Sequence, residues 1–166
     1  MDSNSLETRL RRLEDLEAIR ALKARYFSCC DRKDPIGMRA CFADGKVHID
    51  YGVIGTFDNA DALQKIFSEV GCHDYMVEMH HGANHQVEMT GADSARGSWS
   101  LHYFLIQTEQ KSLTQLGGQY EDEYRRVGGA WKISSTKFTA TSTLALDIST
   151  GAAKALFAGR APPAPA

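Results

Sequence analysis

Apolar side chains recur every third or fourth position through the first thirty residues of the chain. The recurring positions are Leu6, Leu10, Leu13, Leu16, Ile19, Leu22, Tyr26 and Cys30. This spacing places them on one face of an amphipathic helix. Asn4, followed three residues later by Glu7, has the form of a capping box. We therefore predict a helix that is capped at Asn4 and ends near Asp31.

Two shorter helices and one strand are expected in the next forty residues. Asp34 and Pro35 supply an N-cap and an N1 proline for a helix that ends near residue 42. Alternation of apolar and polar residues over 47–51 predicts a strand. A third helix, capped by Asp58 or Asn59, is expected to end near residue 70.

The rest of the chain indicates strands separated by turns at 91–93, at 117–118 and at 128–129. The stretch 97–107 carries apolar groups on both faces, so we expect a helix or a partner chain to cover its second face. Helices followed by an antiparallel meander predict an α+β domain with a cavity between the two layers.

Composition indicates one globular domain, which we place at residues 1–145, followed by a tail at 146–166. The chain has 166 residues, with 19 Lys and Arg against 21 Asp and Glu. The tail is rich in Ala, Gly and Pro and is expected to be frayed, although Leu156 and Phe157 could dock on the domain or on a neighbouring subunit.

Charge and hydropathy argue against several classes of protein. The formal net charge of −2 comes without a basic block, so we expect no nucleic-acid partner. The apolar runs are too short to cross a membrane, and the N-terminus does not resemble a signal peptide. Four cysteines without a Cys-x-x-Cys pair are typical of free thiols in the cytoplasm.

Histidines and one carboxylate are the candidate catalytic groups, since no nucleotide-binding or serine-nucleophile motif is present. His80 and His81 would point to opposite faces of a strand, which argues against a shared metal site. Surface histidines or hydrogen-bonded core histidines are the alternative. Asp31 ends the first helix, where the macrodipole disfavours a carboxylate. It is either compensated by Arg32 and Lys33 or paired with a histidine that acts as a general base.

Aromatic residues form a third group of candidates. Tyr26 lies on the apolar helix face, and Tyr51, Trp99, Tyr103 and Tyr120 lie at strand positions that could face the cavity. Each is interpreted either as a core residue or as part of a site for a flat, oxygenated ligand.

Four motifs in order resemble the SnoaL-like branch of the NTF2-like superfamily over residues 8–140. They are the Tyr-x4-Asp segment at 26–31, Ile-Asp-Tyr at 49–51, His-x3-Asn at 80–84 and the hairpin at 124–133. The pattern is similar to that of scytalone dehydratase, bile acid 7α-dehydratase and hexachlorocyclohexane dehydrochlorinase. The resemblance implies a cone of N-terminal helices on a curved antiparallel sheet that encloses a pocket.

The resemblance also implies roles for individual residues. His80 takes the position of the base, Asp31 that of its partner, and Tyr26 and Tyr51 those of groups that polarise the substrate. The match is not complete. Counted without gaps from His80, the position of a second active-site histidine of scytalone dehydratase is occupied here by Leu105. The positions of its active-site serine and asparagine are occupied by Gly118 and Tyr120. The predicted substrate contacts are Trp99, Tyr103, Leu105, Tyr120 and Asn84.

The resulting hypothesis is a lyase without a cofactor, a dehydratase or a related eliminating enzyme, that acts on a small, hydrophobic, oxygenated cyclic or aromatic substrate. An isomerase or a polyketide cyclase with the same dyad is the first alternative, and a non-catalytic ligand-binding domain is the second. The doubly apolar strand and the resemblance together predict a homo-oligomer, either a trimer or a dimer.

Overall fold

The computed structural model describes residues 5–159. Its helices pack on one face of a curved, open sheet of seven strands. The helices are α1 (Leu6–Asp31), α2 (Pro35–Ala40) and α3 (Ala60–Ile66). The strands are β1 (His48–Asp50), β2 (Thr56–Phe57), β3 (Met76–Met89), β4 (Ser94–Gln107), β5 (Ser112–Val127), β6 (Ala130–Asp147) and β7 (Lys154–Gly159). The predicted α+β class is confirmed.

Helix α1 provides the support for the rest of the domain. Its N-cap is Ser5, whose side chain accepts a hydrogen bond from the backbone N–H of Thr8, while Asn4 lies outside the described residues. Ile19 and Leu22 are buried against the sheet, as the periodicity predicts. Leu6, Leu10 and Leu13 on the same predicted face are 79%, 53% and 64% exposed, so the described chain does not cover the first turns of α1.

Both short helices begin at the caps that the sequence predicts. The side chain of Asp34 accepts from the N–H of Gly37, and that of Asn59 accepts from the N–H of Ala62. The third helix does not remain α-helical to residue 70. It changes after Ile66 to a π-helical segment, Phe67–Gly71, at the rim of the cavity described below.

The sheet is mixed and not wholly antiparallel. Strands β3 to β6 form the expected antiparallel meander, and β1 pairs in parallel with β6 over His48–Asp50. The spatial order is β2-β1-β6-β5-β4-β3, and β7 also pairs with β6. A parallel partner for β6 was not predicted, because strand direction depends on the long connection from β1 and not on local alternation.

The predicted turn at Gly117 and Gly118 is wrong, because both glycines lie inside β5. The pairing of β5 with β6 shifts register between them, which marks a bulge. A Cβ on Gly118 would lie 2.3 Å from the Phe138 ring and 2.6 Å from the Thr139 carbonyl oxygen. The glycine therefore permits a close approach of neighbouring strands where the sheet bends.

Alanine at position 118 is expected to lower the free energy of unfolding by about 1–3 kcal/mol, since the added methyl meets backbone as well as a ring. Denaturant unfolding measures the loss. Gly117→Ala is the matched control, because its Cβ would meet only the hydroxyl end of Ser142, which can rotate away. Equal effects of the two substitutions would contradict this account of the bulge.

The expected frayed tail is wrong for part of its length. Residues 154–159 form β7, which pairs antiparallel with β6 between Thr143 and Asp147. Leu156 is 58% exposed, so its side chain does not dock on the domain. Backbone pairing along an open strand edge, which composition does not reveal, accounts for the difference.

The second face of β4 is turned away from the helices. Phe104 and Ile106 on this outer face are half-buried, and Val77 and Met79 on the neighbouring β3 are 49% and 44% exposed. No described helix covers this face. Within residues 5–159, no helix is both long and apolar enough to cross a membrane.

Candidate active site

A cavity of about 530 Å³ lies between the helices and the inner face of the sheet. Most of its wall is apolar, with contributions from α1, α2, α3, the π-helical segment and strands β3 to β6. The polar side chains in the wall are Tyr26, Tyr51, Glu78, His80, Tyr103 and Tyr120. Such a cavity suits a small, largely apolar ligand that is oriented by a few hydrogen bonds.

The structure brings His80 and Asp31 into contact. His80 Nδ1 lies 2.7 Å from Asp31 Oδ1, and the backbone N–H of His80 donates to the same carboxylate at 3.0 Å. Because a carboxylate accepts, Nδ1 carries a proton, and in the neutral imidazole the lone pair is then on Nε2. Among the described residues, none forms a hydrogen bond to Nε2. The side chain of His80 is 13% exposed.

The local structure of α1 and of β3 explains why Asp31 and His80 meet. Asp31 is the last residue of α1, and the backbone leaves the helix through Lys33 in a left-handed conformation, with φ 58°. His80 lies on β3, and alternation along the strand turns it toward the cavity and turns His81 outward. The ring of Phe27 stacks on that of His80, with centroids 5.9 Å apart.

Two tyrosine hydroxyls form a second polar group in the wall. Tyr26 Oη and Tyr51 Oη are 2.8 Å apart, so one hydroxyl donates to the other and the pair keeps one O–H for a further acceptor. Burial raises the pKa of both hydroxyls, and both therefore stay protonated at neutral pH. Tyr120 packs edge-on against Tyr51.

Glu78 is a cavity carboxylate that the sequence analysis missed. Its Oε1 lies 2.5 Å from Lys33 Nζ, and its Oε2 accepts from the Tyr103 hydroxyl at 2.6 Å. Burial and the adjacent Glu78 carboxylate raise the pKa of Tyr103. Glu78 stands two residues before His80 on the same strand face, so strand alternation alone was a signal that could have found it.

Three predicted substrate contacts do not line the cavity. Trp99 is buried elsewhere and donates to the Tyr124 hydroxyl at 2.9 Å. Asn84 is exposed, and Leu105 is half-buried outside the cavity wall. Tyr103 and Tyr120 do line it. Over residues 5–159, no three His, Cys, Asp or Glu side chains converge as a metal site would require.

A buried ion pair lies behind the cavity wall. Lys23 Nζ is 2.7 Å from Asp122 Oδ2, and both side chains are fully buried. The ammonium lies 3.7 Å from the centroid of the Tyr120 ring. Tyr124 and Thr136 donate hydrogen bonds to the Asp122 carboxylate. Burial lowers the pKa of Lys23, and the Asp122 carboxylate opposes that change.

The fold is similar to that of several solved proteins. A protein from Novosphingobium aromaticivorans, provisionally named a scytalone dehydratase, superposes with a TM-score of 0.73 at 20% identity, over 90% of this chain and 94% of that chain. A type 2 hexachlorocyclohexane dehydrochlorinase gives 0.75 at 21% identity, over 93% and 97%. The type 3 enzyme from Novosphingobium barchaimii gives 0.70 at 19% identity, over 93% and 98%.

Sequence comparison identifies the family. The family model described as a SnoaL-like domain matches residues 11–137. This range runs from within α1 to β6 and includes every residue that lines the cavity except Phe138. The chain therefore belongs to the SnoaL-like family.

Proposed function

We propose that this protein is a lyase that eliminates water or a similar small group from a hydrophobic, oxygenated cyclic or aromatic substrate, without a cofactor. The observation that carries the proposal is the 2.7 Å contact between His80 and Asp31 at the wall of an apolar cavity. A base with a fixed tautomer, facing a largely apolar cavity of small-molecule size, is suited to remove a proton from carbon.

The proposed reaction begins at His80. Nε2 takes a proton from the carbon beside a carbonyl group, and Asp31 stabilises the imidazolium that forms. The free O–H of the Tyr26–Tyr51 pair donates to the carbonyl oxygen as negative charge develops there. The electron pair of the broken C–H bond forms the C=C bond as the leaving group departs. For a hydroxyl leaving group, the proton held by His80 returns to it and water is formed.

The family and the structural neighbours support elimination as the reaction class. Two of the neighbours carry the name dehydrochlorinase and one is provisionally named a dehydratase, and both names describe loss of a small molecule across a carbon–carbon bond. Fold alone does not determine activity. The contact between His80 and Asp31 therefore carries more weight in this proposal than the neighbours' names.

Turnover of 3-hydroxy-1-tetralone, a β-hydroxyketone fused to an aromatic ring, tests the proposal. We expect the wild-type protein to accelerate loss of water, seen as a lower product mass, and we expect His80→Ala to remove the acceleration. His81→Ala is the matched control, because the neighbouring imidazole lies on the opposite face of β3. No acceleration by the wild type, or retained acceleration in His80→Ala, would contradict the mechanism. A product of unchanged mass would instead indicate isomerisation or cyclisation.

We also propose that copies of the chain associate through the outer face of the sheet. Val77 pairs in register with Ile106, and Met79 with Phe104, which makes this apolar surface continuous across two strands. Exposed patches of this kind mark association sites. We expect light scattering to report a dimer or a trimer and Phe104→Glu to dissociate it. A monomeric wild-type protein would contradict the proposal.

A further inference from the structure

The hydrogen bond between Tyr103 and Glu78 determines whether the Tyr103 hydroxyl can donate or accept in the cavity. The O–H donates to Glu78 Oε2 at 2.6 Å, so the single proton of this phenol is engaged with a carboxylate. Its oxygen retains lone pairs, and the side chain forms part of the cavity wall. Donation to a charged acceptor makes the phenol oxygen a better acceptor in turn. Tyr103 therefore presents an acceptor to the cavity.

Lys33 holds this arrangement in place. Its ammonium lies 2.5 Å from the second oxygen of Glu78, which is buried except for 8% of its side-chain surface. Lys33 occupies the left-handed position after α1, where glycine is the usual residue. The chain thus accepts an unfavourable backbone conformation at the residue whose side chain neutralises Glu78.

Three of the polar functions in the cavity wall are of different kinds. His80 offers a base, the Tyr26–Tyr51 pair offers a donor, and Tyr103 offers an acceptor. Among the described residues of the wall there is no Lys or Arg, and Lys23 and Lys33, which contact the wall residues Tyr120 and Glu78, are each paired with a carboxylate. An anionic ligand would find no free cation and would lie near Glu78.

We propose that Tyr103, held by Glu78 and Lys33, accepts a hydrogen bond from a hydroxyl group of a neutral substrate, and that this contact selects hydroxylated over etherified or anionic ligands. The inference rests on the proposed function in that it names the substrate class of the same cavity. Tyr103 and Glu78 act here in recognition, and no proton transfer is assigned to them.

Equilibrium binding of two neutral probes tests this inference without any turnover. 2-Naphthol carries the hydroxyl donor, and 2-methoxynaphthalene has the same rings without it. We expect the wild-type protein to bind 2-naphthol about threefold to tenfold more tightly, the contribution of one hydrogen bond. We expect 2-naphthoate, the anionic probe, to bind more weakly than either. Fluorescence titration or calorimetry measures all three affinities.

Two variants assign the preference to Tyr103. Tyr103→Phe is expected to bind the two neutral probes equally, with the affinity for 2-methoxynaphthalene unchanged as the sign of an intact cavity. Glu78→Gln is expected to lose the preference as well, because an amide that donates to the phenol oxygen turns the Tyr103 proton toward the cavity. Tyr75→Phe makes the same change at a tyrosine that stacks on His73 outside the cavity wall, so it is the matched control and is expected to keep the preference.

The inference is overturned by equal or undetectable binding of the probes to the wild type, by a preference that survives in Tyr103→Phe, or by one that disappears in Tyr75→Phe. Its failure is distinct from failure of the proposed elimination. The binding experiment does not require His80 as a base, and the turnover experiment does not measure discrimination between ligands.

Discussion

Asparagine in place of Asp31 is expected to lower the turnover of 3-hydroxy-1-tetralone by about 10²–10⁴-fold, the range for general-base catalysis and for the loss of an orienting carboxylate. Asp31 accepts from both the ring and the backbone N–H of His80. The amide oxygen of an asparagine can keep the backbone bond. An amide N–H that turns toward Nδ1 selects the other tautomer, in which Nε2 is protonated and cannot act as a base.

Three measurements separate this effect from a loss of structure. The denaturant midpoint of Asp31→Asn reports whether the fold is retained, and we expect only a small change because Asp31 is partly exposed. Proton NMR of the His80 ring, compared with that of His81, reports the change of tautomer. Turnover within a few-fold of wild type, with the tautomer changed, would show that His80 is not the base.

Methionine in place of Lys23 is expected to lower the free energy of unfolding by about 3–5 kcal/mol, the range for removing one member of a buried ion pair. The Asp122 carboxylate would remain fully buried without its counter-ion. Its hydrogen bonds from Tyr124 and Thr136 satisfy the oxygens but supply no charge. The cation–π contact with Tyr120 would also be lost.

Denaturant unfolding measures this loss, and the surface pair Arg96–Glu88 provides the control. Both side chains of that pair are more than half exposed, so Arg96→Met is expected to cost less than about 1 kcal/mol. Adding Asp122→Asn to Lys23→Met is expected to restore part of the lost stability, because the unpaired charge is removed. A small effect of Lys23→Met, similar to that of Arg96→Met, would contradict the role assigned to the buried pair.

Local pattern predicted most of the elements of this domain. The three-to-four residue spacing in the first thirty residues predicts α1, and the caps at Asp34 and Asn59 begin the next two helices where expected. Alternation predicts that His80 and His81 face opposite ways on a strand. These inferences succeed because helix and strand periods are properties of neighbouring residues.

Partners distant in the sequence required the tertiary structure. Gly118 follows another glycine, a pair that is typical of turns, but it lies within β5. Glycine is needed there because Phe138 and the backbone of Thr139 on β6 approach it closely. Trp99 has the right alternation for the cavity, yet it packs where it can donate to Tyr124. Leu6 continues an apolar face that has no described element to cover it. Periodicity indicates which face a residue occupies and not what lies opposite that face.

The sequence by itself determined the fold class and the end of α1 near Asp31, and the resemblance of four motifs to a family selected His80 over His81 as the inward residue. Only the tertiary structure decided that Asp31 and His80, separated by 49 residues, come within 2.7 Å, and that Lys33, Glu78 and Tyr103 form a second polar group beside them. The physical reason is that these contacts depend on the position of the end of α1 relative to β3. Packing of the whole core sets that position, and no single segment of the chain determines it.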